Sequence, residues 1–233
     1  MFGLDDTIAH LSTGASVAVV VLVAALLGLR HAADPDHIAA VTTLVASGRE
    51  RVARNAARLG AFWGLGHALT LVVFGVPVVL YQRYLPERAQ QTAETAVAAL
   101  IVFLAVRLLV RWRHGYFDLH AHVHEDQHHS HKVRTPLGAF TIGLVHGTGG
   151  SAGVGVLLLA AIPSTSVALA ALVVLAVCTA VSMTLLTTGF GLTLAARPVA
   201  AVFASAAPLL AVASLAFGVW YAASAWSVAP HPF

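Results

Sequence analysis

The chain has 233 residues, 58% of them hydrophobic and 10% charged, with a mean hydropathy of +0.83. Soluble domains carry about 25% charged residues, so the composition excludes an ordinary water-soluble globule and indicates an all-α, polytopic membrane protein. The formal charge of +3 does not signal nucleic acid, because Lys and Arg scatter over short connections without a basic face or a nucleic-acid motif. A single cysteine, Cys178, rules out an intramolecular disulfide and a thiolate metal cluster.

In chain order, "MFGLDDTIAH" carries Asp5 and Asp6 but no basic n-region, so the first apolar segment is expected to stay in the mature protein. Apolar runs near 15–47, 60–80, 93–110, 137–161, 167–194 and 199–226 each approach the roughly 20 residues a membrane span needs. They predict six transmembrane helices forming one transmembrane domain over residues 1–233. The first run is too long for one straight span and contains Pro35, which predicts a broken helix. The connections after the first, third and fifth runs hold Arg49, Arg51, Arg54, Arg58, Arg111, Arg113, Lys132, Arg134 and Arg197, against Arg83 and Arg88 on the other side. By the positive-inside rule both termini then lie outside. "GLRHA" at 28–32, "GLGHA" at 64–68 and "GLVHG" at 143–147 echo one another, and the first and last would occupy matching places if the chain were a 3+3 inverted repeat. A Gly/Leu tetrapeptide also recurs by chance in such a composition.

The first run holds Arg30, His31, Asp34, Asp36 and His37. A charged residue at the centre of a membrane helix costs about 2.5–3.5 kcal/mol on insertion scales, so something must compensate. At about 100° per residue, a straight helix spreads His31, Asp34 and His37 over one side and turns Asp36 away. A break resolves this. If one half-helix ends near Ala33 and Asp34 caps a second running from Pro35 to about Ala46, side chains of both halves can meet. Two imidazoles with one or two carboxylates suit Ni²⁺, Co²⁺ or Zn²⁺ better than Cu(I). The competing reading pairs Arg30 with Asp34 and leaves the rest as a polar interface.

His67, four residues after Trp63 and on the same face, reads either as a further ligand or as a packed imidazole. His146 lies in "GLVHGTGGSAGVG", a glycine run that is poor for a plain helix. It permits tight packing, or unwinding where a cavity is lined. The connection at 111–135 contains seven histidines (114, 120, 122, 124, 128, 129 and 131). It is expected to be a flexible, cytoplasmic, multi-register binder of borderline metals. Thr187 and Thr188 are candidates for cavity lining, although such hydroxyls more often bond back to their own helix.

Together "RHAADPDHI" and "GLGHALTLVVF" resemble the H-x₄-D-H signature and second-helix motif of the nickel/cobalt transporter family. "GLVHGTGGSA" is similar to its short, six-helix, urease-accessory-type branch. The resemblance implies that His31, Asp36 and His37 recognise metal with His67 nearby. It further implies a permease of the cytoplasmic membrane that moves Ni²⁺ or Co²⁺ as substrate, with uptake favoured over efflux. The eight-helix members carry an acidic motif in a later helix, whereas no Asp or Glu follows Asp126 here. The candidate metal residues are thus His31, Asp34, Asp36, His37, His67 and His146. No prosthetic cofactor, nucleic acid partner or enzymatic activity is expected, and metallochaperones or metalloenzyme maturation factors are candidate partners. A membrane metalloenzyme is the reading from another class.

Overall fold

The computed structural model describes residues 17–34, 36–38, 40–41, 52–81, 86–114, 135–149 and 151–230, and among them the regular structure is entirely helical. The helices are α1 (Val17–His31), α2 (Val52–Tyr81), α3 (Glu87–Arg113), α4 (Pro136–His146), α5 (Ser151–Ala160), α6 (Thr165–Ala195) and α7 (Arg197–Ala225). Four of them, α2, α3, α6 and α7, are long and apolar enough to cross a membrane. The described part of the predicted first span holds the shorter helix α1, of 15 residues, and the predicted fourth span divides into α4, of 11, and α5, of 10. The chain is a multi-pass membrane protein.

Local chemistry explains the boundaries. At the start of α4, Pro136 occupies the first turn and the Gly138 N–H donates to the Thr135 side-chain oxygen at 3.0 Å, which satisfies one of the donors a helix start leaves open. Its end falls at the glycine run, where the Gly147 N–H still reaches the Gly143 carbonyl and the Thr148 N–H that of Val145. After α1 the chain tightens: the Ala33 N–H donates to the Arg30 carbonyl at 2.9 Å and the Asp34 N–H to the His31 carbonyl at 3.1 Å. The first half-helix therefore ends at His31, two residues earlier than the sequence predicts. Helix resumes at residues 36–38 and 40–41, with the Ile38 N–H donating to the Asp34 carbonyl. That bond puts Asp34 in the expected N-cap position. Pro35 and the stretch to Ala46 beyond Val41 lie outside the described residues.

Polarity runs opposite to that of a soluble protein. Leu22, Leu65, Val73, Leu185 and Val202 are exposed, whereas His37, His67, His146 and Thr179 are wholly buried. Outward apolar side chains suit lipid, and inward polar ones must find partners inside the bundle. The helices pack as α2 on α6, α3 on α7, α4 on α2 and α1 on α6. Glycines make several of these contacts possible, two of them beside the half-helix ends. A Cβ on Gly28 would lie 2.6 Å from the Leu175 carbonyl oxygen and 2.8 Å from Cys178 Cβ, and one on Gly143 would collide with the Trp63 carbonyl. Each glycine lies three residues before the histidine that ends its half-helix, so close approach brings that histidine into the bundle.

Candidate metal centre

The two half-helix ends meet inside the bundle. His31, the last residue of α1, places its Nε2 2.9 Å from Nε2 of His67 on α2. On its other side, His31 Nδ1 lies 3.3 Å from Asp34 Oδ2. A carboxylate behind an imidazole fixes its tautomer and aims the remote nitrogen. Here it aims Nε2 at His67. Without a cation between them, one of the two Nε2 atoms must carry the proton of a hydrogen bond.

Asp36 and His37 follow in the second half-helix and are 1% and 0% exposed. Asp36 Oδ1 accepts from the His37 backbone N–H and lies 3.0 Å from His37 Nδ1. Its Oδ2 lies 3.0 Å from Nε2 of His146, the last residue of α4. His37 is central, with ring centroids at 4.5 Å from His31, 4.4 Å from His146 and 5.2 Å from His67. Trp63, also fully buried, forms a wall 5.6 Å from the His37 ring and 5.9 Å from that of His146.

The donor atoms fall into two groups, His31/His37/His67 and Asp36/His37/His146, within each of which they lie no more than 4.8 Å apart. With metal–nitrogen bonds of about 2.0–2.1 Å, that spread is near the diameter of one coordination shell. Among the described residues, His37 Nε2, His67 Nδ1 and His146 Nδ1 are buried without a hydrogen-bond partner, a state that native imidazoles avoid unless another ligand engages them. The electrostatics favour a cation as well. The carbonyl ends of α1 and α4 carry partial negative charge, and Asp34 and Asp36 are buried beside them.

Of the six residues singled out by the sequence, five enter these groups. Asp34 belongs to neither and stands behind His31. Arg30 is exposed, which leaves His31 facing the Asp34 carboxylate. Thr187 and Thr188 donate to the Met183 and Thr184 carbonyls, both at 2.6 Å, the back-bonding alternative. Apart from His114, which follows α3, the histidines of the 111–135 connection lie outside the described residues. Glu94 was not singled out, yet it is 5% exposed in α3 and accepts from Gln90 Nε2 at 3.2 Å. Gly149 closes on its backbone. An acid inside the apolar run at 93–110 was the signal available for it.

The fold and the buried cluster define a multi-pass helical membrane protein with a His/Asp centre. The chain is 30% identical over 132 residues to the urease accessory protein UreH of Bacillus sp. (strain TB-90), a match covering 54% of this chain and 56% of that relative. It thus spans about half the length of the curated relative it matches. This similarity agrees with the urease-accessory-type resemblance read from the motifs. No family model matches the chain, and no solved structure matches it either.

Proposed function

We propose that the chain is a permease that carries Ni²⁺ or Co²⁺ across the cytoplasmic membrane, in the direction of uptake, through the His31, Asp36, His37, His67 and His146 cluster. The observation that carries this reading is the burial of four imidazoles and a carboxylate where two interrupted helices end. Imidazole nitrogen with little carboxylate suits late divalent first-row ions. The charges of Asp34 and Asp36 offset that of a divalent ion, so the loaded centre is near neutral and tolerable in the membrane. When the ion leaves, protons replace it on the same groups. The likeness to a urease accessory protein fits supply of nickel to a metalloenzyme, with maturation factors as partners.

Six membrane segments arranged as 3+3 complete the proposal, with both termini outside and the His-rich connection in the cytoplasm. Paired contacts support the repeat. Thr70 of α2 donates to the Leu144 carbonyl of α4 at 3.0 Å, as Ser182 of α6 donates to the Gly28 carbonyl of α1 at 3.0 Å. Radioactive nickel and cobalt flux, measured in both directions in cells with and without the chain, tests the function. Net accumulation that His37→Ala abolishes at unchanged expression is the expected result. Faster loss from loaded cells would make it an exporter, and stoichiometric metal retained through dialysis would favour an enzyme.

A further inference from the structure

The two donor groups have one member in common. His31 and His67 come from α1 and α2, Asp36 and His146 from the second half-helix and α4, and His37 belongs to both. Its ring stands 4.5 Å from that of His31 and 4.4 Å from that of His146, so it is placed almost midway. Its two nitrogens are engaged differently: Nδ1 lies at Asp36, and Nε2 is buried with no hydrogen-bond partner among the described residues.

Resting on the transport reading above, we propose that the centre is a two-position relay. The ion is passed between the all-imidazole group and the carboxylate-containing group while His37 remains its ligand. Each group supplies three protein donors, the number that leaves a coordination position open on a tetrahedral ion. An ion in one group can therefore accept a donor from the other before it releases its own. The handover needs no fully dehydrated, uncoordinated ion, which would be costly in the membrane interior. The groups also differ in kind. His31, His37 and His67 offer nitrogen only, with Asp34 behind His31, whereas Asp36 adds a charged oxygen ligand. The carboxylate group thus compensates the ion's charge directly, and the imidazole group does so through Asp34.

The test uses the purified full-length chain in detergent, titrated with Co²⁺, whose visible absorption reports coordination number and donor type. Flux is measured in parallel. The relay predicts that His67→Gln and His146→Gln each still bind Co²⁺, weakened by no more than about 100-fold, and give two different spectra, because the ion is confined to opposite positions. Both lose flux. The double variant and His37→Gln lose binding as well. If either single variant loses Co²⁺ binding as completely as His37→Gln, or if both give the same spectrum, one site uses all the donors and the relay is wrong while the permease reading stands. If the unaltered chain neither binds Co²⁺ nor moves nickel or cobalt, the permease reading fails and the relay with it. Retained monodispersity and thermal melting of each variant separate loss of ligands from loss of fold.

Discussion

Asp36 is the residue whose position decides most. A straight helix would turn it away from His31; with the helix interrupted, Asp36 reaches His37 and His146 and stands in a donor group that does not include His31. The spacing left its relation to His31 to the break and could not identify its other partner, since His146 lies 110 residues away and only helix packing brings it close. Replacing Asp36 by Asn keeps the shape and removes the charge. Flux is expected to fall by about 100-fold or more, with the protein still folded, as read by metal uptake alongside melting. Asp34→Asn should act more mildly, weakening Co²⁺ affinity about 10- to 100-fold through loss of the carboxylate that aims His31. Trp63 was legible as a neighbour of His67 from the four-residue spacing. Its packing on His37 and His146 was not.

At the scale of elements, the interrupted helices are what the sequence announces best. Asp34 with Pro35 marks the first interruption and the glycines after His146 mark the second, each by a known conformational preference. What the sequence leaves open is how deeply the halves sink into the bundle, which depends on matching small residues on facing helices. Gly143 sets this for α4. A methyl there meets the Trp63 carbonyl and lies 2.9 Å from the His67 backbone nitrogen, so Gly143→Ala should cost about 1–3 kcal/mol and move His146 off Asp36. Calorimetry and Co²⁺ titration of the same variant check both effects. The cap of α4 is a gentler handle. Thr135→Ala removes the bond to the Gly138 N–H and should cost about 1 kcal/mol while leaving the metal donors in place.

For the whole molecule, hydropathy alone indicates a membrane bundle, because lipid imposes so few solutions on the backbone. Four long helices bear this out. The three short ones, α1, α4 and α5, fall below the usual span length because their runs are interrupted, and the donor residues gather at the interruptions after α1 and α4. If the ion displaces protons from imidazoles, Co²⁺ binding in weak buffer should acidify the medium, and affinity should drop as pH falls. A pH electrode and titrations at several pH values measure this; affinity unchanged by acid would argue against imidazole ligation. Finally, the chain carries a ready-made chemical clock. Its one cysteine, Cys178, sits against Gly28, three residues ahead of His31. The thiol is partly exposed, and a reagent should react there faster when the first half-helix lifts from α6. Alkylation slowed by Ni²⁺ would time that lifting in the unmutated protein.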